Sequence, residues 1–241
     1  MALILKNGAI FLHIPKTGGN WVATVLRECN LVKGSIGDQK HIDIDRLFSL
    51  PCDSRWGLLK QFINWPGSLH GGNKPFMFCF VRHPLSWYES WFKYMTQPAR
   101  NWRYWGDKTD IRQWHPNALL NGLGSPDFNQ FVRNVLRERP GYVTELFGWY
   151  TKPQVDFIGK QENLREDLIK VLNMMELSFD EVLIREFPMV GLSPKPQEKI
   201  VWEKDVREEA YRSEYAGIIR YGYLPGNSGL CAAGETEGNK Q

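Results

Sequence analysis

The sequence predicts an α/β fold built on a parallel β-sheet with helices on both faces. Three short apolar runs, at 9–14, 75–81 and 155–159, are each followed by a turn and then by a helical pattern. Runs that are apolar throughout suit strands buried on both faces, and alternation of strands with helices favours parallel pairing. The 241 residues are enough for one such domain, and no repeat or linker divides them.

The first unit starts with the run 9–14 (AIFLHI), which ends at Pro15. Residues 16–19 (KTGG) then form a turn, and from Asn20 to position 29 apolar residues recur at helical spacing. The segment 33–74 is less regular, and we expect only short helices there, near 43–50 and 56–63.

The second unit contains the strongest strand pattern of the chain, 75–81 (PFMFCFV), followed by Arg82 and His83. Pro84 suits the first turn of a helix over 85–95. Further along, the pattern predicts a helix at 127–137, a strand at 155–159 and helices at 162–172 and 202–221, whereas 101–124 has no clear period. We expect one domain over 1–224 and a disordered tail over 225–241, which is rich in glycine and small residues.

Composition restricts the classes of partner. The net charge of +3 and the lack of a Lys/Arg block disfavour a nucleic-acid surface. The four cysteines are scattered, with no metal-ligand spacing among the five histidines, so we expect reduced thiols and no metal. No signal peptide or membrane-spanning run is visible, which leads us to expect a cytoplasmic protein without a membrane partner.

The turn between the first strand and its helix has the features of an anion site. Two glycines allow close approach of the backbone, the N–H groups at a helix start attract negative charge, and Lys16 and Thr17 add a cation and a hydroxyl. We therefore expect Pro15, Lys16, Thr17, Gly18, Gly19, Asn20 and Trp21 to hold a phosphate or sulfate. The order of lysine and glycines differs from that of a Walker A loop, which disfavours a nucleoside triphosphate.

Two motifs resemble one enzyme family. The stretch 11–19 (FLHIPKTGG) resembles the 5′-phosphosulfate loop of sulfotransferases that use 3′-phosphoadenosine-5′-phosphosulfate (PAPS), especially the carbohydrate (heparan sulfate type) and bacterial branches. The stretch 80–91 (FVRHPLSWYESW) is similar to their Arg-x-Pro…Ser element, which implies that Arg82 and Ser90 bind the 3′-phosphate. Trp87 stands where many relatives have a second basic residue, so part of the expected charge must come from elsewhere. The resemblance implies a P-loop-like fold and no metal requirement.

A third stretch, 157–168 (FIGKQENLREDL), looks like the family segment that lies beside the cofactor after a core strand. This resemblance makes Lys160 and Gln161 candidate cofactor contacts. The carboxylates that follow are more simply explained as the charged first turn of a helix.

A histidine is the natural general base for deprotonating an acceptor hydroxyl at neutral pH. The segment 40–47 (KHIDIDRL) resembles the one that supplies the catalytic histidine in the heparan sulfate 6-O branch, and this points to His41. His70, in 69–72 (LHGG), is the competitor, because a similar element serves the 2-O branch. His13 in a strand suits a wall or core position, and His83 is a weaker candidate.

The expected function is therefore transfer of a sulfuryl group from PAPS to a hydroxyl of a carbohydrate or other small metabolite, with adenosine 3′,5′-bisphosphate (PAP) as product. Lys16 and His41 are the expected catalytic residues. A non-catalytic PAP-binding module and, less favoured, a P-loop-type small-molecule kinase are the alternatives. Trp87, Trp91 and Tyr94 lie on one helical face and suit a core stripe, whereas the tryptophans at 102, 105 and 114 could form an aromatic platform for the acceptor. The acceptor, the adenine contacts and the oligomeric state are not fixed by the sequence.

Overall fold

The computed structural model describes residues 2–36, 40–49, 74–97, 115–190 and 200–224. Five strands form one sheet: β1 (Ala2–Leu5), β2 (Ile10–Leu12), β3 (Val32–Ile36), β4 (Met77–Val81) and β5 (Phe157–Lys160). Their spatial order is β3-β1-β2-β4-β5. The strong apolar run of β4 occupies the inner position beside β2, and all five of its residues are buried.

The sheet is mixed, so the prediction of a parallel sheet is wrong for one half of it. β2, β4 and β5 pair in parallel, as predicted, but β1 pairs antiparallel with both β2 and β3. The connection from β1 to β2 is a tight turn in which Leu5 N–H donates to the Ala9 carbonyl and Gly8 adopts a φ of 89°. A turn this short can join only antiparallel neighbours, because a parallel pair needs a crossover of a dozen or more residues.

Nine α-helices belong to the described residues. They are α1 (Gly19–Glu28), α2 (Ile44–Ser49), α3 (Pro84–Met95), α4 (Phe128–Glu138), α5 (Tyr142–Gly148), α6 (Leu164–Met174), α7 (Glu181–Glu186), α8 (Lys204–Ser213) and α9 (Tyr215–Arg220). Short 3-10 helices cover Pro116–Leu120 and Gln161–Asn163. No helix in this described part of the chain is long and apolar enough to cross a membrane.

Helices cover both faces of the sheet, because side chains of consecutive strand residues point to opposite sides. Along β4, Met77, Cys79 and Val81 join one apolar cluster, which also contains side chains of α3, α4 and α5. Phe78 and Phe80 join the other cluster, with side chains of α1, α6 and α7. The inner strands are therefore apolar throughout, as the sequence predicted.

The predicted helices and strands agree with the structure except at several ends. The helix predicted at 202–221 is divided into α8 and α9 at Glu214, whose buried carboxylate accepts hydrogen bonds from Tyr88 Oη and from the N–H groups of Val143 and Thr144. The sequence analysis did not predict β1, β3, α5 or α7. The predicted helix at 56–63 and the tail at 225–241 lie outside the described residues, as does most of the segment 101–124.

Candidate functional site

A cleft of about 300 Å³ opens where the parallel strands β2, β4 and β5 end. The carboxyl ends of parallel neighbours meet at one sheet edge, and this is where open α/β sheets commonly bind ligands. The chain after β2 contributes Pro15 and Lys16, the chain after β4 contributes Arg82, and the chain after β5 contributes Gln161. The two sequence motifs therefore share one cleft.

The first motif forms a tight loop into α1. Lys16 has a φ of 66°, a left-handed conformation that is rare outside glycine, and Gly18 follows with a φ of 83° as the N-cap of α1. A Cβ on Gly19 would overlap the imidazole of His13, so only glycine fits at that position. Pro15, Lys16, Gly18, Gly19, Asn20 and Trp21 line the cleft.

Residues of the second motif hold this loop in place. The indole Nε1 of Trp87 donates to the Pro15 carbonyl at 3.0 Å, and Nη1 of Arg82 contacts the Lys16 carbonyl at 3.5 Å. Trp87 is fully buried and stacks on Trp91 with ring centroids 5.8 Å apart. Trp87 thus has a structural role, which is to hold this loop through the Pro15 carbonyl.

The cleft is strongly cationic. Of the described residues, four basic side chains line it: Lys16, Lys40, Arg82 and Lys93. No carboxylate of that part of the chain lines it. The sequence analysis had not selected Lys40 or Lys93. Lys93 could have been found, since it lies three residues after Ser90 on the same helix and therefore on the same face.

Arg82 is suited to an anionic ligand. Its Nε is buried and has no hydrogen-bond partner in the described part of the chain, and its contact with the Lys16 carbonyl is long. Burial lowers the pKa of the Arg82 guanidinium from its ordinary value, which reflects the cost of desolvating this cation. The two nearby carboxylates are engaged elsewhere: Glu162 accepts from His83 N–H and Tyr223 Oη, and Glu89 accepts from a tryptophan indole.

The other predicted cofactor residues differ in position. Ser90, on α3, is almost buried and lines the cleft. The hydroxyl of Thr17 is turned inward and donates to the Ile14 carbonyl at 3.0 Å, and Thr17 is not among the lining residues. Lys160 is also outside the lining, because its ammonium donates to the Gly222 carbonyl and lies 4.6 Å from the centre of the Tyr223 ring. Its neighbour Gln161 lines the cleft instead.

His41 lies in the wall of the cleft with a defined tautomer. Its Nδ1 is 2.9 Å from the carbonyl oxygen of His13, and a carbonyl oxygen can only accept a hydrogen bond. Nδ1 must therefore carry the proton, and in the neutral ring Nε2 has the lone pair that a general base requires. The backbone carbonyl of His41 accepts from the buried hydroxyl of Tyr150 at 2.5 Å, which fixes this segment against the core.

His13, His41 and His115 form a row of edge-to-face rings, with centroid distances of 4.7 and 4.9 Å between neighbours. Burial lowers the pKa of His41 and His13 well below the ordinary value, and the charges around them lower it further. Burial also lowers the pKa of His115 to about 3. All three rings are therefore neutral at pH 7.

His115 has the opposite tautomer to His41. Its Nδ1 accepts a hydrogen bond from the backbone N–H of Asn117 at 3.1 Å, so in the neutral ring Nε2 carries the proton. His115 also lines the cleft, and no pattern in the sequence had pointed to it. The described residues include no group of three or more side chains placed to hold a metal ion.

Of the other histidine candidates, the structure describes His13 and His83. His13 is a buried wall residue, as expected from its place after β2. His83 caps α3, where its ring accepts from the Leu85 N–H, and it is not among the cleft residues. His70 and the tryptophans at 102, 105 and 114 lie outside the described residues.

Comparison with known proteins provides no relative from which a role could be transferred. No protein-family model, no curated protein and no solved structure matches this chain.

Proposed function

We propose that this chain is a sulfotransferase that transfers a sulfuryl group from PAPS to an acceptor hydroxyl. The observation that carries the proposal is that Lys16 and Arg82, from two separate motifs, line one cationic cleft at the carboxyl ends of neighbouring parallel strands. A donor with phosphate groups at both ends of a nucleoside needs two such anion sites in one cleft. Within the described part of the chain, the buried Nε of Arg82 has no hydrogen-bond partner and four cations line the cleft, and both features fit that donor.

The residues of the cleft suggest how the donor is held. The loop from Pro15 to Trp21, at the start of α1, binds the 5′-phosphosulfate, and Arg82 with Ser90 binds the 3′-phosphate. Leu164, Met189 and Val190 give the same cleft an apolar part that suits a purine ring. When bound, PAPS supplies a sulfuryl group that is already activated by its link to a phosphate.

The catalytic steps use the neutral ring of His41 and the positive charge of Lys16. Nε2 of His41 takes the proton of the acceptor hydroxyl as the hydroxyl oxygen bonds to sulfur. Lys16 stabilises the negative charge that remains on the phosphate oxygen when its bond to sulfur breaks. His41 is ready for this role at pH 7 because burial holds its pKa well below the ordinary value and keeps the ring neutral.

Titration calorimetry tests the assignment directly. The protein is expected to bind PAP more tightly than 5′-AMP, ATP or Mg-ATP, because only PAP occupies the 3′-phosphate site. Lys16→Ala should bind PAP, yet lose transfer from labelled PAPS by about 100- to 1,000-fold, the usual effect of removing one group that stabilises developing charge. Preference for Mg-ATP would favour a kinase, and PAP binding without any transfer would favour a binding module.

A further inference from the structure

A second cavity lies next to the cationic cleft and shares one residue with it. Its volume is about 260 Å³, and His115 lines both spaces. The other described residues that line it come from the start of α2, from the 3-10 helix Pro116–Leu120 and from the end of α5: Asp43, Asp45, Arg46, Pro116, Ala118, Leu119 and Trp149. The backbone N–H of Ile44 contacts the carbonyl of Trp149 at 3.4 Å and ties two of these walls together.

The position of this cavity relative to the base matters for the reaction. In an in-line displacement the acceptor approaches sulfur from the side opposite the bond that breaks, so it must arrive from the side of His41 and not from that of Lys16. The ring of His115 packs edge-to-face on that of His41, with centroids 4.9 Å apart. The ring of His115 also lines the second cavity. The ring of His115 therefore lies between the cavity and the proposed base.

The charges of the two spaces differ. The cleft has four cations and no lining carboxylate among the described residues, whereas the second cavity has two carboxylates and one arginine in its lining. Both carboxylates are paired: Asp43 with Arg46 at 2.5 Å, and Asp45 with Lys152 at 2.5 Å. The charges of these surroundings thus nearly cancel, so no net positive charge offsets the desolvation of an additional anion.

The remaining lining combines an aromatic ring with polar groups. Trp149 is half-buried, and Pro116, Ala118 and Leu119 add apolar surface beside it. An aromatic wall with carboxylate and guanidinium groups at its edge suits a ring that has an apolar face and several hydroxyls. The near-zero net charge of the lining does not favour a carboxylated or sulfated ligand.

We propose that this second cavity is the acceptor site and that it takes a neutral, polyhydroxylated ring compound. The assignment rests on the proposed function, because it gives the acceptor of that reaction a place and a chemical class. It excludes as preferred acceptors those glycans whose reacting unit carries a carboxylate or a sulfate.

Two probes that differ in one group test the assignment: methyl β-glucoside and methyl β-glucuronide, each assayed for transfer from labelled PAPS. The wild-type protein is expected to have a kcat/KM about tenfold higher for the glucoside, the effect of one unfavourable charge contact in a partly exposed site. Asp45→Lys should lower this preference at least about tenfold, because it replaces a negative charge by a positive one. Asp45 is exposed, so loss of its ion pair should cost little stability.

Glu208→Lys is the matched control, because Glu208 is a paired surface carboxylate that lines neither space. PAP affinity should stay within about twofold of wild type in both variants, since neither residue lines the cleft. A wild-type preference for the glucuronide, transfer to neither glycoside by a protein that binds PAP, or equal preference ratios in the two variants would overturn the acceptor site while leaving the donor site intact. Failure of the wild-type protein to bind PAP would instead overturn the proposed function and this inference together.

Discussion

Arg82 offers the most discriminating test of the donor site. The substitution Arg82→Met removes the charge and its donors while keeping a long apolar side chain in a mostly buried position. The two neighbouring carboxylates, Glu162 and Glu89, keep their own hydrogen-bond donors, so the substitution leaves no buried charge stranded. Its main effect should therefore be on ligand binding.

The size of the effect follows from the guanidinium geometry. The contact of Arg82 with the Lys16 carbonyl is 3.5 Å long, and its Nε has no hydrogen-bond partner among the described groups. The guanidinium therefore gives up little hydrogen-bond energy within the protein when it binds a phosphate. Hydrogen bonds to charged groups are worth about 1.5–3 kcal/mol. Since about 1.4 kcal/mol corresponds to a factor of ten, the Kd of PAP should rise about 10- to 100-fold.

Calorimetry with two nucleotides isolates the contribution of the 3′-phosphate. The Kd of 5′-AMP, which lacks that phosphate, should change by less than about threefold in Arg82→Met, because independent contacts are nearly additive. Arg133→Met is the matched control, since this exposed arginine pairs with Glu203 and Asp205 and lines neither cavity. Equal weakening of PAP and 5′-AMP, or no weakening of PAP, would refute the assignment of Arg82 to the 3′-phosphate.

Four further predictions concern the histidines and the loop. His41→Asn keeps an N–H that can donate to the His13 carbonyl but has no base, so kcat should fall about 100- to 10,000-fold with PAP affinity unchanged, and a smaller loss would assign the base elsewhere. Because burial lowers the pKa of His41, the kcat/KM of the wild-type protein should not decline when the pH is lowered through 6.5. The pKa of His115 is about 3 in the folded protein and near 6.5 in the unfolded chain. The neutral ring therefore contributes to the free energy of unfolding in full above pH 6.5, and this contribution is lost as the pH falls from 6.5 towards 3. Between pH 7 and pH 5 the unfolding free energy from urea titrations should drop by about 2 kcal/mol from this residue, and His115→Gln should reduce the drop by that amount; an unchanged drop would contradict it. Trp87→Phe leaves the Pro15 carbonyl without its indole donor and should cost about 1–3 kcal/mol of stability while weakening PAP binding, both measurable on one sample; unchanged PAP affinity would show that Trp87 does not position the loop.

Local patterns determined the elements and the motifs. The apolar runs of β2 and β4, the helical spacing after Asn20 and Pro84 at the start of α3 follow from short-range chemistry, and the structure contains each of them. The resemblance of the two motifs also implied that Lys16 and Arg82 bind one nucleotide, and the strands that precede them pair in parallel. This much could be inferred without coordinates.

The tertiary structure alone decided the rest. The antiparallel β1 was not predicted, because a four-residue strand beside a tight turn has too little pattern to be recognised. Thr17 and Lys160 do not line the cleft as predicted, because each side chain donates to a backbone carbonyl instead. The sequence cannot reveal which carbonyl will lie within reach. Long-range packing fixed the proton positions of His41 and His115, because these depend on which backbone groups meet each ring after the chain has folded. It also formed the second cavity beside His115 from three separate segments of the chain.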